Sequence, residues 1–316
     1  MRLNLVREEF HKDFAEVFEG RALFNASASN FTTFRTGGPI SVVLFPSNED
    51  EIKKALELCD KWRLEFIALG SGSNVLFSDK GFGGVVIVLS ECFNRFSYES
   101  EIGNDVYVSA QAGAFLPKMV SEFAKKNIGG IEWACGIPGT VGGAVVGNAG
   151  SFGYSIMTNV ENAKVIKKSG KIHLIEASEI ESGYRFSSIG QDEIITNITL
   201  KLTRIGEGEG EKKIEEYRER RKRTQPYLAQ SAGCIFKNTE KISAGRLIDE
   251  CGLKGKRVGD AEVSSKHANF IINKGNATST NILDLMKEIR EEVYRKKGIM
   301  LEPEIKVIGE EIEWKN

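Results

Sequence analysis

The chain has 316 residues, 41% of them hydrophobic, which is enough apolar mass for two or three compact units and excludes a disordered or fibrous protein. With 43 basic against 44 acidic residues the net charge is −1, so no global field draws the chain to nucleic acid or to an anionic membrane, and charged ligands must be met locally. The five cysteines, Cys59, Cys92, Cys135, Cys234 and Cys251, are odd in number, scattered and without a C-x-x-C pair. They suggest neither a disulfide framework nor a zinc site and fit a reducing cytoplasm. The N-terminus meets Arg2, Arg7 and Glu8 before an apolar stretch can form, and the densest apolar run, Val85 to Leu89, is too short to cross a bilayer. Neither a signal peptide nor a membrane span is expected.

Helix and strand signals alternate after Arg35. A strand-like Val42-Val43-Leu44-Phe45 ends at Pro46, and Asn48 can cap a helix from Glu49 to about Arg63 whose apolar face is Ile52, Ala55, Leu56, Cys59 and Trp62. A β-rich stretch follows, with strands predicted at 85–89, 106–110, 160–166, 172–175 and 194–202, and one helix, 116–126, with Leu116, Met119, Val120 and Phe123 facing inward. From Ile205 to Lys213 the composition shifts to glycine and glutamate, which reads as a solvated linker or mobile turn and a domain boundary. Beyond it, a charged helix at 213–223, a strand at 234–237, a helix at 244–251, a strand at 270–273 and a long helix at 280–297 make a small α/β unit. The last strand, 304–308, has no evident partner in its own neighbourhood and is expected to return to the first domain.

Two glycine clusters dominate the first two-thirds of the chain. Gly70-Ser71-Gly72-Ser73-Asn74-Val75-Leu76 follows a strand-like Phe66-Ile67-Ala68-Leu69, and its backbone N–H groups and serine hydroxyls can ring a pyrophosphate. A Rossmann reading requires a helix directly afterwards and an acidic residue after the next strand; neither is present. A Walker loop also fails, since neither Gly170-Lys171 nor Gly255-Lys256 is followed by Ser or Thr. The second cluster, Gly136-Ile137-Pro138-Gly139-Thr140-Val141-Gly142-Gly143-Ala144 and then Gly147-Asn148-Ala149-Gly150, makes a poor hydrophobic core and a good wall for a flat ligand. Alone it reads as tight turns; two such loops joined by apolar strands point to a shared nucleotide cofactor.

Asn30-Phe31-Thr32-Thr33-Phe34-Arg35-Thr36-Gly37-Gly38, together with both glycine clusters, resembles the FAD domain of UDP-N-acetylenolpyruvoylglucosamine reductases. The resemblance continues through Tyr184-Arg185-Phe186-Ser187-Ser188, Ser231-Ala232-Gly233-Cys234-Ile235-Phe236-Lys237-Asn238, Lys266-His267-Ala268-Asn269-Phe270 and Leu301-Glu302-Pro303-Glu304. It implies an α+β fold: a two-part FAD-binding domain of the vanillyl-alcohol-oxidase-like (PCMH) type plus a smaller C-terminal α/β substrate domain. The implied divisions are 1–84 with a returning strand in 303–316, then 85–205, then 212–302. It further implies a cytoplasmic, NADPH-dependent flavoenzyme, expected to be a monomer. Such an enzyme reduces UDP-N-acetylglucosamine enolpyruvate to UDP-N-acetylmuramate for peptidoglycan.

By the same resemblance, noncovalent FAD is held by Arg35, the loop Gly70-Ser71-Gly72-Ser73-Asn74-Val75-Leu76, Gly136-Ile137-Pro138-Gly139-Thr140, Gly142-Gly143-Ala144 and Asn148. Tyr184, Lys222, Asn238 and His267 line the substrate pocket, Lys222 on the diphosphate. Arg185, always charged and able to grip a carboxylate with two parallel hydrogen bonds, is the electrostatic candidate for the enolate. Cys234 matches the proton donor, and Glu304 assists. Glu302 is the rival carboxylate, since alternation on a strand puts both on one face. No metal is implied, because no second histidine lies near His267. Three features depart from the family pattern. Thr239 stands where many relatives have proline, the segment after Arg185 leaves no room for the tyrosine-bearing insertion of one subgroup, and the 206–210 stretch has no assigned role. Two alternatives stay open: an oxidase or dehydrogenase of the same FAD-domain superfamily, and a non-catalytic nucleotide-sugar sensor. Against covalent flavin, neither glycine loop carries a histidine or cysteine.

Overall fold

Asn48 caps the helix Glu49–Trp62 by accepting the N–H of Glu51 at 3.0 Å, and Ile52, Ala55, Leu56 and Cys59 form the buried face that their spacing predicts. The computed structural model describes residues 2–18, 21–190 and 192–309. They divide into two units, each with its own apolar core. The first takes in residues up to 24, then 42–71 and 84–220; the second has 25–41, 72–83 and the chain from 221 onward.

The first unit is built on an antiparallel sheet ordered Ile172–Glu176, Val160–Lys167, Glu193–Arg204, Asp105–Gln111, Phe96–Ile102, with Ile128–Gly129 also pairing to Glu193–Arg204. Strict alternation along Asp105–Gln111 turns Val106, Val108 and Ala110 inward, where they meet Met119, Val120 and Phe123 of the helix Leu116–Ala124 in one core. A smaller sheet runs Ala22–Ser27, Pro39–Leu44, Phe82–Val88, Phe66–Leu69, its last pair parallel. The chain leaves and re-enters the unit along the first three of these strands. The helix Arg2–Val17, not foreseen in the sequence reading, precedes them.

Only the end of the glycine–glutamate stretch is helical: 207–208 form a turn, and the helix Glu209–Thr224 starts four residues before the expected position. Its glycines lower helix propensity, but local bonds and packing override that. The Glu209 carboxylate accepts the N–H of Gly206 at 3.2 Å and pairs with Lys213 at 2.8 Å, and a Cβ on Gly210 would stand 2.8 Å from Ile205 and 2.9 Å from Ala124. The second unit's core gathers Phe34, Leu76, Phe236, Leu247, Ile271, Leu285, Met286 and Ile289 around the sheet Arg257–Val258, Ala261–Val263, Ile271–Asn273 and the helices Ala244–Glu250 and Ser279–Lys297. The last strand, Lys306–Ile308, lies parallel to Val75–Phe77. Residues 310–316 of the expected returning segment lie outside the described residues. The strand predicted at 234–237 reduces to one bridge, Phe236 with Pro303, since the Ile235 N–H that would extend the ladder donates to the Asn269 carbonyl at 2.9 Å.

Asp79 ties the segment 72–83 to the long helix. Its carboxylate accepts the N–H groups of Ser279 at 2.9 Å and Thr280 at 2.8 Å and the Thr280 hydroxyl at 2.7 Å. Burial works to raise its pKa, but the hydrogen bonds from Thr280 and Ser279 outweigh it and hold the carboxyl below its ordinary 3.8. A depressed carboxylate pKa adds stability above the unfolded value, and the gain is lost as pH falls through the folded one. Asp79→Ala is therefore expected to cost about 1 kcal/mol at neutral pH. In denaturant melts the gap from wild type should close below about pH 4.

Candidate functional site

In the first unit the two glycine clusters meet. A Cβ on Gly70 would lie 2.3 Å from the Thr140 hydroxyl oxygen, so only glycine permits the approach. Thr140 in turn caps a short helix, Val141–Val146, by accepting the N–H of Gly143 at 3.3 Å, where the composition alone had suggested turns. The backbone N–H groups of Val141 and Gly142 bond to the carbonyls of Ala114 and Ala112 at 2.9 and 2.8 Å, and Leu116 N–H bonds to Gly139 at 3.0 Å. Gly142 packs so tightly that a Cβ would meet Ala112 at 2.7 Å, whereas Gly143 and Gly147 have no neighbour within 3.4 Å of a built Cβ. The 141–146 helix is thus fixed on one side and bare on the other. A cavity of about 310 Å³ is lined by Ser71, Ser90, Asn94, Gly113, Phe115 and Lys118.

Asn148, φ 38°, binds the neighbouring hairpin: its Nδ2 donates to Gly183 O at 2.7 Å and its Oδ1 accepts Met157 N–H at 3.4 Å. The hairpin Ser182–Gly183 and Phe186–Ser187 carries Tyr184 and Arg185 at its turn, and Ser187 Oγ donates to the Val145 and Val146 carbonyls at 2.9 Å. Arg185 is left-handed, φ 56°, half-buried, and donates from Nη1 to Gly150 O at 3.2 Å, with its guanidinium 5.4 Å from the Tyr184 ring. Asn148 and Arg185, 37 residues apart, are so brought to one corner.

In the second unit Gly72, φ 60°, could not carry a side chain: a Cβ would fall 1.9 Å from Phe31 O. Its carbonyl accepts Thr33 N–H at 3.1 Å, which joins the loop to the segment holding Arg35, itself left-handed at φ 58° and exposed. Cys234 and Glu304 lie on paired segments. Glu304 N–H donates to Ile235 O at 2.7 Å, Lys237 N–H to Glu302 O at 2.8 Å, and Lys306 N–H to Asn74 O at 3.0 Å. The Glu302 carboxylate is exposed and engaged with Lys237 Nζ at 2.5 Å, whereas Glu304 is half-buried. Asn238 Oδ1 accepts Ala244 N–H at 3.0 Å. His267 Nδ1 accepts Asn269 N–H at 3.3 Å, and burial lowers its pKa from 6.5, so it is neutral at pH 7. Lys222 is exposed, and its carbonyl accepts a hydrogen bond from Lys266 Nζ.

Sequence reasoning passed over Asn269. Its buried amide grips Phe236 twice, Oδ1 accepting the N–H at 3.0 Å and Nδ2 donating to the carbonyl at 2.8 Å, which fixes the cysteine-bearing segment where a strand ladder ends. Its place in Lys266-His267-Ala268-Asn269-Phe270 was the available signal. The cavity residues Ser90, Asn94 and Lys118 had none, because they come from separate segments. Among the described residues no cluster of His, Cys, Asp and Glu could hold a metal, and no helix is long and apolar enough to cross a membrane.

Residues 40–176, which hold both glycine loops and most strands of the first unit's antiparallel sheet, match the model of an FAD binding domain and mark a flavoprotein. Residues 225–308 match the UDP-N-acetylenolpyruvoylglucosamine reductase C-terminal domain. The chain is 39% identical over 288 residues to the UDP-N-acetylenolpyruvoylglucosamine reductase of Clostridium botulinum, covering 91% of this chain and 93% of that one. It is 38% identical to that of Caldanaerobacter subterraneus, covering 92% and 95%. The crystal structure of the Thermus caldophilus enzyme superposes with a TM-score of 0.78 at 36% identity, covering 90% of this chain and 97% of that one. The chain belongs to the UDP-N-acetylenolpyruvoylglucosamine reductase family and is an FAD-containing oxidoreductase.

Its residues fit that cofactor. The bare face at Gly143 and Gly147 and the cavity beside Ser71 offer room for a dinucleotide, and positive φ at Gly72 shapes the loop. Gly72→Val is expected to give colourless protein, because the β-branched side chain collides with the Phe31 carbonyl. Absorbance between 350 and 500 nm, roughly the flavin range, is the check; normal flavin content would refute the loop's role.

Proposed function

We propose that this enzyme uses NADPH to reduce UDP-N-acetylglucosamine enolpyruvate to UDP-N-acetylmuramate, with Cys234 as proton donor, Arg185 as carboxylate clamp and Glu304 as assisting carboxylate. Saturating the enolpyruvyl double bond takes a hydride at one carbon and a proton at the other, with enolate charge developing on the substrate carboxylate in between. Bound FAD would supply that hydride from N5 after accepting it from NADPH.

The observation that carries the proton assignment is the 2.7 Å bond from Glu304 N–H to Ile235 O, which holds a half-buried carboxylate one residue from a half-buried thiol. Glu302 is less suited, since its charge is committed to Lys237 at the surface. Positive φ at Gly233 lets the cysteine leave the Ala232 core abruptly, and Asn269 holds the residues that follow. A thiol of ordinary pKa about 8.5 is mostly protonated at neutral pH and can donate. Arg185 is the group suited to the enolate, because its planar fork can take both carboxylate oxygens and its charge does not titrate. Lys222, Asn238, His267 and Tyr184 are assigned to the nucleotide sugar, with Lys222 on the diphosphate; neutral His267 would serve there by hydrogen bonding. The remaining cofactor contacts are Arg35, the 70–76 loop, 136–140, 142–144 and Asn148.

Cys234→Ala should leave NADPH-to-flavin reduction intact and slow substrate reduction by roughly 10²- to 10⁴-fold in stopped flow, the usual range for a lost general acid. Cys234→Ser should retain substantial activity and resist alkylating agents, which are expected to inactivate the wild type. Reduction of the enolpyruvyl substrate by Cys234→Ala at the wild-type rate would assign the proton elsewhere.

Arg185→Lys keeps the charge and loses the bidentate geometry. Substrate reduction is expected to fall more than flavin reduction by NADPH. Equal losses in both half-reactions would mean that Arg185 acts only through structure.

A further inference from the structure

The hairpin after Asn148 has no part in the reading above. Its strands pair Gly150 with Ser155 and Ser151 with Tyr154, and at its tip Phe152 takes φ 57°. A bulky residue keeps a left-handed backbone only where its surroundings over-determine it. Here they do. The Phe152 ring stacks on Tyr217, centroids 4.7 Å apart and planes at 30°, and the Arg220 guanidinium carbon lies 4.7 Å from the same ring. Tyr217 and Arg220, three residues apart on the helix Glu209–Thr224, share one face. The hairpin's other strand is braced as well: Tyr154 stacks on Trp133, centroids 6.2 Å apart and planes at 13°, and Trp133 is buried in the turn that leads into Gly136. At the hairpin's base, the Gly150 carbonyl accepts Arg185 Nη1 at 3.2 Å. A Cβ on Gly150 would fall 2.5 Å from Tyr154 O, so the base has no slack.

We propose that this hairpin, clamped at its tip by Phe152, Tyr217 and Arg220, is the positioning device for Arg185. A guanidinium carries five donors in one plane, so one fixed bond sets the direction of the whole fork. An arginine side chain otherwise has much rotamer freedom to lose, and bidentate contact requires that loss before the substrate arrives. The aromatic clamp moves the loss into folding. The glycine–glutamate stretch gains a part in this, since it starts the helix that presents Tyr217 and Arg220. The catalytic half of the inference rests on Arg185 as the carboxylate clamp; the positional half does not.

The test uses full-length FAD-loaded protein and phenylglyoxal, a guanidinium-selective reagent, with modification of Arg185 followed by peptide mass spectrometry. In Tyr217→Leu and in Arg220→Gln, Arg185 should be modified several-fold faster than in wild type. Reduction of the enolpyruvyl substrate should slow roughly 10- to 100-fold in Tyr217→Leu, as displaced catalytic groups do, with flavin content and flavin reduction by NADPH unchanged. Tyr217→Phe keeps the ring and should restore both properties. An unchanged modification rate in both Tyr217→Leu and Arg220→Gln overturns the proposal, and so does faster modification accompanied by FAD loss in both, which would mark general loosening. Faster modification with wild-type substrate reduction would keep the clamp and remove Arg185 from the chemistry.

Discussion

At Gly70 the chain passes so close to Thr140 that a single methyl group would stand 2.3 Å from the hydroxyl oxygen. Much of the first unit's site follows from that approach. Thr140 is the cap of the 141–146 helix, that helix hangs on the carbonyls of Ala112 and Ala114, and its C-terminal carbonyls hold Ser187 of the arginine hairpin. A larger residue at 70 would push the two glycine loops apart. Glycine is used there for the absence of volume, and at Gly72 for both volume and positive φ.

The second unit solves a different problem. Cys234 and Glu304 lie on segments too short to form a ladder. Isolated main-chain bonds hold these segments, from Glu304 to Ile235 and from Lys237 to Glu302, and Asn269 adds a side-chain amide that mimics a neighbouring strand. Buried amide networks of this kind specify one geometry because a half-satisfied arrangement would leave polar atoms stranded. The parallel pair Val75–Phe77 and Lys306–Ile308 then makes the 72–76 loop and the Glu304 segment parts of one framework.

The two units differ in how they hold the candidate site residues. Arg185 is directed by a carbonyl on an aromatic-braced hairpin, where rings stacked at 4.7 and 6.2 Å resist rotation without needing charge. The segments of Cys234 and Glu304 are held by backbone pairing and by the Asn269 amide. Both candidate residues involve a left-handed position, Arg185 itself and Gly233 beside Cys234, which is where a chain can project a side chain away from its own core.

The sequence by itself determined the capped helix at 49–62, the alternating strands, the absence of a Rossmann helix after Gly72, and the order of motifs that marks the family. Those features are local: caps, periodicity and glycine clusters act over a few residues and are written in them. The helical start at Glu209 was hidden, because glycine-rich composition lowers propensity while the packing of Gly210 against Ala124 and Ile205 reverses it. The strand predicted at 234–237 was lost because the Ile235 N–H turns to the carbonyl of Asn269, a residue far along the chain. The ion pair that engages Glu302, the grip of Asn269 and the cavity beside Ser71 likewise come only from tertiary structure. Each depends on which distant segment lies alongside, and the ordering entropy of such contacts is recovered only when the whole core forms.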